Sequence, residues 1–168
     1  MELERFIASL VTFSDKLETK VLDSEGQQDE FTPSVEVCLA DGTPTGLAFH
    51  GVPSGHEFTS FVLGLYNAAG PGQEVEADII KEISGIKRPT KLMILVTLSC
   101  TMCPDLVVAA QRIASLNPNV SAHVYDIRYF DDLRKRYKVM SVPCLVINDE
   151  KVSFGKKNLR QVLELIGY

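Results

Sequence analysis

Leu3, Phe6, Ile7 and Leu10 recur at i, i+3, i+4 and i+7, which places four apolar side chains on one face and predicts a helix over residues 2–13. From Leu17 to Asp23 the pattern changes to alternation, "LETKVLD", and predicts a strand. The polar run "SEGQQDE" (24–30) reads as a loop. After Pro33, "SVEVCLA" and "TGLAFHG" flank an Asp41-Gly42 turn and form the two arms of a hairpin. Residues 55–68, "GHEFTSFVLGLYNA", predict a largely apolar helix. The first half therefore runs α-β-β-β-α.

Turn-formers in "AAGPGQ" (68–73) interrupt that series, and "EVEADIIKEISG" predicts a connecting helix. The consecutive apolar residues of "KLMILVTL" are the signature of a strand covered on both faces. A helix, "PDLVVAAQRIASL", then a strand, "SAHVYDI" (121–127), and a helix, "FDDLRKRYK", follow. "PCLVIND" and "KVSFG" make a second hairpin, and "NLRQVLELI" a closing helix. This order, β-α-β-α-β-β-α, resembles that of the thioredoxin fold.

The two halves can be registered on each other. Ile7-Ala8-Ser9-Leu10 repeats as Ile113-Ala114-Ser115-Leu116, Pro33 answers Pro143, and "GLAFHG" answers "KVSFG". The expected architecture is α/β, two tandem thioredoxin-like folds. The first (1–70) is truncated and lacks a leading strand and cysteine loop; a linker and connecting helix occupy 71–90; the second (91–168) is complete.

A net charge of −5 gives no basic stripe for a nucleic-acid backbone. The run Leu92 to Leu98 is far shorter than the roughly 20 residues of a membrane span. "MELERFIASL" carries acids where a signal peptide carries bases, so the expected location is the cytoplasm. "DDLRKRYK" has its acids first and bases last, as a helix complements its own dipole.

Four cysteines, Cys38, Cys100, Cys103 and Cys144, are too few for a disulfide scaffold, and only one pair is close. A C-x-x-C is either half a zinc site or a redox dithiol. Zinc wants a second ligand pair, whereas Cys38, Cys144, His50, His56 and His123 are single and scattered along the chain. A buried strand before the motif and a helix starting within it favour the dithiol. Unpaired amides at a helix start stabilise a thiolate, so Cys100 is expected to attack and Cys103 to resolve. Pro104 suits the first helical turn. Thr101 and Met102 bring no charge between the cysteines, which points to a reductant or relay. Pro143 is either a simple strand-start proline or, as the resemblance to a thioredoxin-fold hairpin implies, part of a cis Val142-Pro143 bond beside the disulfide, with Thr101, Met102, Val142 and Pro143 then the surface that holds a partner peptide.

Through "LSCTMCPD", "LNPNV", "VMSVPCLVIN" and, most specifically, "GHEFTSFVLGL", essentially the whole chain resembles the N-terminal domain of the flavoprotein subunit of alkyl hydroperoxide reductase. That family pairs two thioredoxin-like folds, of which only the second keeps its CxxC. Archaeal protein disulfide oxidoreductases share the double fold but usually keep two. The resemblance implies electrons received from a thioredoxin-reductase-like flavoprotein module, fused or separate, that carries FAD and uses NAD(P)H. It implies delivery to a disulfide in a peroxiredoxin. It also implies that Glu57 sits beside the disulfide and tunes a thiol or shuttles a proton. Two departures stand out: the family's first fold begins with a further helix and strand, and Cys144 replaces a small residue. Cys144 is then either a buried hydrophobe or a third thiol with a resolving or regulatory role, and Cys38 is expected in the core. No G-x-G-x-x-G is present and "GTPTG" lacks the lysine of a phosphate loop, so no cofactor is expected to bind this chain. The alternatives are a free-standing glutaredoxin-like reductase using glutathione, and a docking module whose cysteine pair holds metal.

Overall fold

The structure, a computed structural model, describes residues 1–22 and 31–167; the loop expected at 24–30 lies outside the described residues. The elements are α1 (Glu2–Val11), β1 (Ser34–Cys38), β2 (Pro44–His50), α2 (Glu57–Ala69), α3 (Ala77–Gly85), β3 (Thr90–Val96), α4 (Cys103–Leu116), β4 (Val120–Asp126), α5 (Asp131–Arg136), β5 (Cys144–Ile147), β6 (Lys151–Phe154) and α6 (Leu159–Ile166).

The six strands form one sheet in the order β1-β2-β4-β3-β5-β6. β3 and β4 are parallel, as are β2 and β4; β1 with β2, β3 with β5, and β5 with β6 are antiparallel. The hairpin of the first half thus joins the second half through the β2–β4 ladder. Strand period separates two cores. Leu92, Ile94 and Val96 of β3 join Val120, Ala122 and Val124 of β4 and Leu145 and Ile147 of β5 on the face covered by α2, α3, α4 and α6. Met93, Leu95, Tyr125, Cys144 and Val146 point the other way, toward Phe130 and toward Leu133 of α5. β3 is therefore buried on both sides, as its unbroken apolar run requires. Three isoleucines of the connecting segment, Ile79, Ile83 and Ile86, enter the first core, so α3 is packed into the domain.

The strand expected over 17–23 is a correction: residues 17–22 form no strand, and Asp23 lies outside the described residues. Alternation supplies two faces, but a strand also needs a neighbour for its amides and carbonyls. Among the described residues β1 pairs with β2 alone, and Val21 and Leu22 are 62% and 76% exposed.

Candidate redox site

β3 ends at Val96 under the sheet's C-terminal edge, and the chain turns through 97–102 into α4. Cys100 and Cys103 are joined as a disulfide with their Cα atoms 5.6 Å apart. Cys103 is fully buried and Cys100 half-buried, the asymmetry expected of an attacking and a resolving sulfur. The Cys103 N–H, one of the donors a helix start leaves unpaired, points at Cys100 Sγ over 3.1 Å. A thiolate at Cys100 would be held by that same amide and by the positive end of α4.

Val142 and Pro143 complete the wall. The Val142-Pro143 bond is cis, as is Thr32-Pro33 in the registered position of the first half. The Val142 carbonyl oxygen lies 3.9 Å from Cys100 Sγ, Pro143 is buried, and the Pro143 carbonyl accepts the Gly155 amide at 2.9 Å. Thr101 is exposed, and Met102 is 51% exposed beside the sulfurs.

The stretch "GHE" docks the first half onto this loop. Gly55 has φ +58, and a Cβ there would stand 2.7 Å from the Leu98 carbonyl oxygen, so only glycine fits. The next residue, His56, donates its backbone N–H to that oxygen at 3.0 Å. Further along, Gly64 lets the Gln111 side chain lie directly against α2, and Asn67 and Arg112 meet at Gln73. α2 and α4 therefore run side by side in the same sense. Two turns back from the Gly64–Gln111 contact, about 10 Å at 1.5 Å per residue, Glu57 is level with the start of α4.

Glu57 is 0% exposed. Burial raises its carboxyl from the ordinary 4.5 to about 7, partly opposed by a hydrogen bond from Ser60 Oγ to Oε2. Desolvation thus outweighs the favourable charge–dipole term of an acid in a first helical turn. Oε1 has no protein partner among the described residues. A buried carboxyl poised near neutrality can exchange a proton with a thiol within its reach.

Cys144 does not share this site. It is fully buried on the opposite face of the sheet, with Leu95 and Tyr125, and burial pushes its thiol up to about 11, slightly opposed by Lys157. The charge of Lys157, whose Nζ donates to the carbonyls of Phe154 and Gly155, is itself disfavoured by burial. Cys38, expected in the core, is instead exposed at the end of β1, where the register with β2 shifts between Val37 and Cys38.

Sequence spacing missed two features. His50 and His123 are not scattered in space: the β2–β4 ladder brings Nε2 and Nδ1 to 3.1 Å, with His50 stacked on Tyr125. Pairing between parallel strands 73 residues apart leaves no local signal. Among the described residues no group of three or more His, Cys, Asp or Glu could hold a metal ion. Ser60, the last letter of "GHEFTS", was the other omission; its i, i+3 spacing from Glu57 on a helix was the available signal. No helix among the described residues is long and apolar enough to cross a membrane.

Fold and disulfide together define a thioredoxin-like disulfide oxidoreductase. A family model described as a thioredoxin domain matches residues 90–167. The solved N-terminal domain of the alkyl hydroperoxide reductase AhpF from Enterococcus faecalis superposes with a TM-score of 0.90 at 40% identity, covering 99% of this chain and 83% of that one. The corresponding alkyl hydroperoxide reductase protein of Pseudomonas aeruginosa is 33% identical over 165 residues, 98% of this chain and 31% of the relative. A protein disulfide oxidoreductase from Aeropyrum pernix, 21% identical with a TM-score of 0.75 over 97% of this chain and 77% of that one, shares the fold. The chain belongs to the AhpF family of alkyl hydroperoxide reductases and matches the N-terminal domain. It spans between about a quarter and a third of the length of the curated relatives it matches.

Proposed function

We propose that this chain is the dithiol–disulfide relay of a peroxide-reducing system in the cytoplasm. Electrons come from a flavoprotein module, fused or separate, that carries FAD and draws on NAD(P)H; they leave to a disulfide of a peroxiredoxin. The observation that carries this reading is the Cys100–Cys103 disulfide at the α4 N-terminus, and the burial of Glu57 in the first half supports it. The single dithiol and the membership of the AhpF family support the same reading.

In the reducing direction Cys100 thiolate attacks one sulfur of the partner disulfide, and the other partner sulfur leaves as a thiolate. Cys103 gives its proton to the Glu57 carboxylate and attacks Cys100 Sγ. The second partner sulfur then departs with its bonding pair, and two electrons have passed from the dithiol to the partner. Thr101, Met102, Val142 and Pro143 form the surface along which the partner's extended segment lies. In recharging, the donor module's thiolate attacks the Cys100–Cys103 bond and Glu57 returns a proton to the leaving Cys103.

The architecture that serves this is a tandem of two thioredoxin-like units, 1–70 without CxxC and 91–168 with it, joined through 71–90. Two hairpins, each led by a proline and followed by a helix, support the duplication. The inactive unit's contribution is to deliver Glu57.

The test is a peroxide assay coupled to a flavoprotein donor and a peroxiredoxin. Cys100→Ser is expected to abolish turnover, and Cys103→Ser to accumulate a mixed disulfide with the partner. Undiminished turnover in Cys100→Ser refutes the relay. Substantial activity with glutathione as sole reductant indicates a glutaredoxin-like enzyme instead, and stoichiometric metal in anaerobically purified protein indicates a metal-holding docking module.

A further inference from the structure

Ser60 follows Glu57 by one helical turn on the α2 stripe that faces α4, and is 1% exposed. Its Oγ lies within hydrogen-bond reach of two acceptors at once, the Glu57 main-chain carbonyl at 3.0 Å and Glu57 Oε2. A serine hydroxyl has one proton to give and lone pairs with which to accept. When Glu57 is a carboxylate, the Ser60 proton goes to Oε2. When Glu57 is a carboxylic acid, its own proton bridges Oε2 and Ser60 Oγ, and the Ser60 proton turns to the main-chain carbonyl. The Oε2–Ser60 hydrogen bond is kept in both charge states by the same heavy-atom positions.

We propose that Ser60 is a positioning residue that donates to or accepts from Glu57 according to its charge, so that the buried carboxyl changes protonation during dithiol exchange without repacking the α2–α4 seam. The proposal rests on Glu57 being the proton acceptor for Cys103. As Cys103 S–H breaks, an O–H bond forms on Glu57; the sulfur's electron pair makes the bond to Cys100 Sγ, and the partner sulfur leaves with the pair of the bond that breaks. The Ser60 proton only rotates, so no charge is created beyond that of the leaving thiolate. Apart from the two cysteines at the start of α4, the titratable or charged groups on the elements around Glu57 are His56 beside it, Tyr66 on α2, Asp105 and Arg112 on α4, His50 on β2, and Glu2, Glu4 and Arg5 on α1. None of these contributes to its shift, which comes from burial opposed by Ser60 alone.

The test follows the carboxyl directly, by infrared titration of the oxidised chain, with Glu57→Gln identifying the band. Ser60→Ala is expected to move the midpoint up by about one to two pH units, the worth of one hydrogen bond to a charged acceptor. Ser60→Thr is expected to hold it within a few tenths, and the pH profile of disulfide reduction should move with the band. A folded Ser60→Ala chain that titrates like the wild type overturns the proposal. Should that variant not fold, the buried Ser60 hydroxyl proton of the wild type is followed by NMR: a shift with the Glu57 midpoint supports the proposal, and a pH-independent resonance overturns it. If Glu57→Gln leaves the reduction profile unchanged, the proton-acceptor reading fails, while the infrared midpoint still decides whether Ser60 responds to the carboxyl.

Discussion

Replacing Glu57 by glutamine exchanges a buried ionisable group for a neutral one of nearly equal shape, and its consequence for stability can be worked out from the fold. The carboxyl titrates at about 7 in the folded chain against an ordinary 4.5. Between those values the native state holds a proton that the unfolded state has lost, so stability falls as pH rises through the window. A gap of 7 minus 4.5, at about 1.36 kcal/mol per unit, amounts to a loss of about 3 kcal/mol that is complete slightly above pH 7. Glu57→Gln lacks this loss. Urea unfolding of the oxidised wild type and variant, in half-unit steps from pH 4 to 8, should show the difference between them growing by about 3 kcal/mol in favour of glutamine. Asp41, Asp78, Asp131 and Asp149 are all shifted down and titrate below the window, and His50 and His123 are common to both proteins, so the difference isolates Glu57. A difference that stays flat between pH 5 and 8 would falsify the burial argument.

Three further outcomes follow from the packing. With the disulfide intact, an aromatic disulfide reagent at pH 8 should react quickly with one thiol, Cys38, in the folded chain and with two after denaturation, because Cys144 is buried with its thiol at about 11; a second fast thiol in the folded state would contradict its placement. Asn117→Ala should cost about 2–4 kcal/mol in denaturant unfolding, since Nδ2 serves the carbonyls of Ile83 and Ile86 at 2.6 and 3.0 Å and Oδ1 accepts the Asn119 amide. Gly55→Ala should destabilise by about 2 kcal/mol or more and slow reduction of the disulfide, because the added Cβ meets the Leu98 carbonyl in the loop that leads to Cys100; an unaltered reduction rate would separate that loop from the site.

The stretch "GHEFTS" shows what local pattern can and cannot carry. Its helix and the acid in its first turn were readable from spacing. That the acid is buried depends on Gly55 and Gly64 letting α2 approach Leu98 and Gln111, contacts between segments more than 40 residues apart in sequence. Cys144 shows the same limit in a strand. "CLVI" is apolar at every position, so no alternation marks which residues share the disulfide's face; the register with Leu95 decides it.

By itself the chain's pattern determined the helices, the two hairpins, the doubly buried β3 and the CxxC at a helix start, because each is set by side-chain period and turn chemistry within a few residues. The tertiary structure alone decided that residues 17–22 form no strand, that His50 meets His123, that Cys144 turns from the dithiol, and that Glu57 and Ser60 are buried together. Those outcomes depend on which strand pairs with which and how closely two helices pack. Hydrogen-bond partners and desolvation come from distant segments, and local sequence does not encode them.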